Sequence, residues 1–181
     1  MRKVNAILII MLSLLLLNFN NSSQKRIVWD ESVKLAWTDF RAAPNYELHR
    51  IGALTSSSIK YSYSCDGFGY IDYEIAAEFI PDESWVKEVK RDYTTLQHEQ
   101  AHFDITELYA RKIRKALLEE NLVCEQAVDF DMLIGEYLRQ WRIMQMKYDI
   151  NTQGSNDLEK QANWLKYIKE QLFEYREFKG V

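Results

Sequence analysis

Residues 98–102 read His-Glu-Gln-Ala-His, and they open a stretch whose apolar positions recur at helical steps. Ile105, Leu108, Tyr109, Ile113, Ala116 and Leu117 follow one another at three- and four-residue spacing, the pattern of an amphipathic helix with one face turned inward. On such a helix residues i and i+4 stand one above the other. His98 and His102 therefore share a face, and that face falls within the apolar stripe. An exposed face would carry two solvated histidines without consequence. Inward imidazoles beside a carboxylate are costly to bury without a partner. One Zn2+ taking a nitrogen from each ring removes that cost. Glu99, about a quarter turn round the helix, then stands where it can take a proton from water at the metal. The chain has three histidines, and two of them are here.

The periodicity divides the rest of the chain into a strand-rich front and a helical back. Residues 51–64 (IGALTSSSIKYSYS) alternate Thr, Ser, Ile and Tyr. Cys65-Asp66-Gly67-Phe68-Gly69 is a turn marked by Asp-Gly, and residues 70–80 (YIDYEIAAEFI) return as a second strand. Together they predict an antiparallel hairpin. Val28-Trp29 reads as an edge strand, and residues 35–40 as a short irregular or helical stretch before Pro44. Beyond Pro81 the pattern predicts a helix over 92–120. A second helix is predicted over 129–149, its stripe being Phe130, Leu133, Tyr137, Leu138, Trp141, Met144 and Tyr148. Residues 151–156 (NTQGSN) form a stop with Gly154 as the break, and a last helix runs over 157–178. On the first helix Arg111, Lys112, Arg114 and Lys115 project mostly outside the stripe. No repeat or linker interrupts residues 24–181, so the expectation is one α+β domain. It is a small N-terminal antiparallel sheet packed on the histidine-bearing helix, followed by two further helices. That is the zincin-like arrangement, in which an edge strand beside the active-site helix can pair with an extended peptide. The strand over 70–80 is the candidate for that role.

The N-terminus carries a different instruction. Arg2 and Lys3 precede an apolar run over 6–17 and a polar stretch ending Asn21-Ser22-Ser23. A membrane-spanning helix needs about 20 apolar residues, so the run fits a secretory signal peptide over residues 1–23, or an anchoring helix if it is not cleaved. No cysteine follows it to carry a lipid. The expected location is the periplasm or the exterior, with no stable membrane span once the leader is removed. Losing Arg2 and Lys3 moves the net charge from −4 to −6, which gives no basis for a nucleic-acid partner. Cys65 and Cys124 are the only cysteines. An oxidising compartment permits a disulfide between them, and their spacing suits no thiolate zinc motif; the sequence leaves the pairing open.

Several segments together resemble a family of bacterial exported proteins catalogued as domain of unknown function 922 and grouped with zincin-like peptidases. They are Leu35-Ala36-Trp37-Thr38-Asp39-Phe40, Ala53-Leu54-Thr55-Ser56, Ser84-Trp85-Val86 and, most strongly, HEQAHFDITELYAR over residues 98–111. The tail Tyr148-Asp149-Ile150-Asn151-Thr152-Gln153-Gly154, with Gln161 and Trp164, is also similar. The resemblance implies a zincin fold, export and a peptidase activity that the family label leaves undefined. Where the family's tail commonly carries Thr-His-Gly, this chain has Thr152-Gln153-Gly154, and glutamine is a poor zinc ligand beside histidine or carboxylate.

A catalytic zinc keeps three protein ligands and an open position. His98 and His102 supply two. Candidates for the third are Asp149, Glu136 and His49, with Asp149 favoured because it lies beside Tyr148 in the family-like tail. Asp104 and Glu107 point off the histidine face of a regular helix. The expected function is zinc-dependent hydrolysis of a peptide or protein substrate, one Zn2+ per chain, with Glu99 as general base and Tyr148 or Tyr109 helping to stabilise the oxyanion. The alternative is a zincin-like domain without catalysis, serving as a protein-binding or structural module of the envelope.

Overall fold

The computed structural model describes residues 25–180; the leader expected over residues 1–23 lies outside them. Eight regular elements follow one another: β1 (Ile27–Val28), β2 (Ala53–Leu54), β3 (Ser57–Cys65), β4 (Ile71–Phe79), β5 (Trp85–Val86), α1 (Tyr93–Glu120), α2 (Ala127–Thr152) and α3 (Leu158–Glu174). The architecture is α+β, with the small antiparallel sheet ahead of the three helices. Among the described residues no helix is long and apolar enough to cross a membrane.

β3 and β4 form the expected hairpin, in register from Ser57 opposite Phe79 to Cys65 opposite Ile71. Its turn is held by Asp66, whose Oδ1 accepts from the Phe68 and Tyr70 amides at 2.8 Å each. Gly69 adopts φ +90°, which a side chain would resist. β1 pairs with the far end of β4, Ile27 opposite Phe79, and the Trp29 amide extends the ladder to the Ala77 carbonyl. The sheet order is thus β1-β4-β3. This corrects the expectation that the strand over 70–80 is a free edge: β4 is the central strand. A separate two-stranded ladder joins β2 to β5.

Only one face of the sheet is apolar, and α1 covers it. Ile75, Ala77 and Phe79 are buried with Ala101, Phe103, Ile105 and Ala110, and the rings of Phe79, Phe103 and Phe40 pack at 5–6 Å. A charged network finishes the seam. Glu107 pairs with Arg111 at 2.9 Å and Arg114 at 3.1 Å. Arg114 also donates to the Ile75 and Phe178 carbonyls, and Arg111 to that of Leu172. Arg111 and Arg114 therefore lie inside the structure, not outside the stripe as the helical projection predicted. Their guanidinium groups reach backbone carbonyls of the sheet and the C-terminal segment, which a single-helix projection does not contain.

Helix boundaries follow local chemistry. Asp92 caps α1 by accepting from the Thr95 amide at 2.8 Å. The α2–α3 corner places Gln153, Gly154 and Ser155 successively at positive φ, and Asp157 caps α3. This tight reversal lays α2 and α3 side by side against α1. At the other end, Cys65 and Cys124 are disulfide-bonded, tying the hairpin tip to the α1–α2 connection across a sequence separation of 59.

Candidate metal centre

The site forms where the C-terminal end of α2 packs against the N-terminal third of α1. His98 and His102, one turn apart on α1, point Nε2 at Nε2 across 3.2 Å. From α2, Asp149 brings Oδ1 to 3.1 Å from the first nitrogen and 3.0 Å from the second. Three potential donor atoms so form a nearly equilateral triangle. Among the described residues this is the one group of histidine, cysteine and acidic side chains gathered closely enough to hold a metal ion. Glu136 is not part of it. It lies on the surface of α2, paired with Arg139 at 2.7 Å and Gln140 at 2.7 Å, because it falls on the helix face turned from α1. His49 sits in an exposed turn and is likewise outside the group. Of the three candidate third ligands, Asp149 alone is brought to the histidines.

The donor set fits a metal. Zinc with bonds of about 2.0–2.2 Å in tetrahedral geometry keeps its donors roughly 3.4 Å apart, close to the separations here. A carboxylate oxygen only accepts hydrogen bonds, so each close approach of Oδ1 to a ring nitrogen is made either through an Nε2–H or through a cation that they share. The electrostatics respond accordingly. Burial pushes the His102 imidazole down, but the hydrogen bond and charge of Asp149, with Glu99 and Gln145 adding to them, outweigh burial and hold it above the ordinary histidine value. Burial also pushes the Asp149 carboxyl up, yet the two histidines hold it well below the usual carboxylate range. The side chain of Asp149 is 54% exposed and that of His98 4%, so the centre opens to solvent on the Asp149 side and is closed on the other.

Glu99 is 3% exposed, and its Oε2 has no hydrogen-bond partner. A buried carboxylate oxygen in that condition next to two histidines is costly as structure alone. Beneath the rings lies Tyr148, wholly buried. His98 stacks on it with centroids 4.5 Å apart and planes 19° from parallel, His102 meets it edge-on at 5.0 Å, and Trp164 of α3 backs it at 5.5 Å. Burial, followed by the charges of Glu99 and Asp149, pushes its phenol upward, so it stays neutral. Tyr148 is a floor for the imidazoles; Tyr109 packs under the Lys112 ammonium instead, 4.9 Å from its ring centre.

Sequence reasoning missed the outer partners. Gln145 Oε1 lies 2.6 Å from His102 Nδ1, and Thr152 Oγ1 lies 3.5 Å from His98 Nδ1. Gln145, Tyr148, Asp149 and Thr152 recur at three- and four-residue steps, continuing the apolar stripe of α2 with polar side chains. That continuation was the available signal. Gln153, where the resembling family carries histidine, is the exposed left-handed cap of α2 and does not belong to the donor group.

Three segments from outside the helix bond to this part of α1. The Leu35 amide donates to Gln100 Oε1 at 2.8 Å, Thr55 Oγ1 to the Glu99 carbonyl at 3.1 Å, and Gln161 Nε2 to the Thr94 carbonyl at 2.9 Å. No protein-family model, no curated protein and no solved structure matches the chain, so what it does is read from the geometry of this centre.

Proposed function

We propose that this protein is an exported zinc-dependent peptidase, related to the zincin-like exported family its motif resembles. The observation that carries the reading is the triangle of His98 Nε2, His102 Nε2 and Asp149 Oδ1, solvent-accessible on one side, with a buried and unpartnered Glu99 carboxylate oxygen next to it. His98, His102 and Asp149 would hold the ion. Zinc bound there would supply Lewis acidity toward water and toward a peptide carbonyl. Glu99 takes the proton of the attacking water and delivers it to the leaving amine. Tyr148 and Trp164 hold the imidazoles in place, so that little reorganisation accompanies the reaction. The segment from Ala53 to Ser57 runs along α1 past Glu99, with Thr55 and Ser57 bonded to the helix. It replaces β4 as the strand against which an extended peptide would lie. The Cys65–Cys124 disulfide supports an oxidising compartment outside the cytoplasm.

The rival is a non-catalytic envelope module on the same scaffold. Elemental analysis of the purified protein and of His98→Ala, combined with hydrolysis of an unfolded protein such as casein by wild type and Glu99→Gln, separates the two. The expected result is about one zinc per chain, lost in His98→Ala, and cleavage abolished in Glu99→Gln with zinc retained. Zinc without Glu99-dependent cleavage would leave the binding module. The same measurement distinguishes zinc from iron(II), which two histidines and a carboxylate also accommodate.

A further inference from the structure

We propose that Gln145 is a positioning residue that fixes the orientation and tautomer of His102, presenting Nε2 as the metal donor. The inference rests on reading His98, His102 and Asp149 as the metal centre, and on hydrogen-bond logic that leaves one arrangement. The amide of Gln145 has a donating end and an accepting end. Its Nε2 lies 2.9 Å from the backbone carbonyl of His102 and 3.2 Å from Thr106 Oγ1. A carbonyl oxygen only accepts, so the end facing it is the NH2 group. Thr106 Oγ1 also receives the indole N–H of Trp141 at 3.2 Å and can donate to that same His102 carbonyl at 3.0 Å. The reversed amide would set two carbonyl oxygens against each other.

The accepting end, Oε1, then faces His102 Nδ1 at 2.6 Å. Since Oε1 cannot donate, Nδ1 carries the hydrogen. In a neutral imidazole with Nδ1–H the lone pair is on Nε2, and Nε2 is the atom 3.0 Å from Asp149 Oδ1 and 3.2 Å from His98 Nε2. Gln145 therefore grips α1 at both the backbone and the ring of one residue and directs the ring's free electron pair into the donor triangle. Histidines that bind metals commonly have such a partner on the second nitrogen, and its loss lowers affinity about 10–100-fold. The placement also explains why Gln145 and Asp149 are one turn apart on α2: the same helix face supplies the third ligand and the brace for the second.

The test compares wild type with Gln145→Leu, which removes both ends of the amide, and Gln145→Glu, which keeps an acceptor for Nδ1–H. Zinc affinity is measured by competition with a chromophoric chelator. The state of His102 is followed by 15N-resolved NMR of its ring, in zinc-loaded protein and in zinc-free protein at alkaline pH. The expected result is about 10–100-fold weaker zinc binding in Gln145→Leu, with the Nδ1–H signal lost or rapidly exchanging. Gln145→Glu keeps that signal and binds zinc within about threefold of wild type. A merely structural role would change the thermal midpoint without changing the ring's tautomer. Wild-type zinc affinity and an unaltered Nδ1–H signal in a folded Gln145→Leu would overturn the proposal. Should wild type bind no zinc, the metal reading fails, and the zinc-free spectra still decide whether Gln145 sets the tautomer.

Discussion

His98 lies face to face with Tyr148, the two rings 4.5 Å apart and 19° from parallel, and the tyrosine's hydroxyl has no hydrogen-bond partner. The ring of Tyr148, more than its hydroxyl, supports the site. Tyr148→Phe keeps the stack and removes an unsatisfied buried polar group, so stability should be unchanged or about 1 kcal/mol higher, with metal still bound. Tyr148→Ala leaves a cavity under both imidazoles and should cost about 3–5 kcal/mol. Thermal denaturation of both variants checks this; a Phe variant that loses its metal would assign the hydroxyl a direct role.

Asp149 completes the group of side chains that could hold a metal ion, and Glu136 and His49 lie outside it. Asp149→Ala should weaken zinc binding by more than about 100-fold, beyond the effect of losing an outer partner. Glu136→Ala and His49→Ala should bind zinc as wild type does, since one side chain is committed to Arg139 on the surface and the other stands in an exposed turn. Competition titrations on the three variants rank them, and equal losses in all three would refute the assignment.

Cys65 and Cys124 close a loop with a sequence separation of 59. In the chain-entropy treatment such a cross-link stabilises by about 4 kcal/mol. Replacing both cysteines with serine should lower stability by an amount of that order while leaving zinc affinity nearly unchanged, because the bond joins the hairpin tip to the segment after the C-terminal end of α1 and the donor histidines lie in its N-terminal third. Urea unfolding of the double variant provides the number.

Asp92 caps α1, the helix that carries both histidines. Its hydrogen bond from the Thr95 backbone, the largest cause, holds its carboxyl below the ordinary value of 3.8 despite some burial. For an acid whose folded value is depressed, the stabilisation is present above the unfolded value and is lost as pH falls through the folded one. Asp92→Ala should therefore cost about 1 kcal/mol at neutral pH, and the gap should begin to narrow only below the ordinary value of 3.8, closing as pH falls through the depressed folded value. Stability measured at pH 7 and at steps down to the acid limit of folding checks it; a difference that stays constant to that limit would mean that the charged cap is not responsible.

What the sequence determined by itself is local. The pairing of His98 with His102, the stop at Gly154 and the hairpin about Asp66-Gly67 depend on helical pitch, left-handed backbone and turn chemistry, all set within a few residues. The choice of Asp149 over Glu136 belongs to the tertiary structure, because both are carboxylates on α2 and only the crossing of α2 over α1 decides which one faces the imidazoles. Gln145 was invisible for the same reason: an amide acquires its role from the ring nitrogen it meets, 43 positions earlier in the chain. Likewise β4 became a central strand when β1 came to pair with it from about 50 residues away, and Arg111 and Arg114 turned inward once backbone carbonyls of the sheet and the C-terminal segment lay within their reach. Periodicity specifies which face of an element is buried; the packing of one element on another decides which side chains meet there.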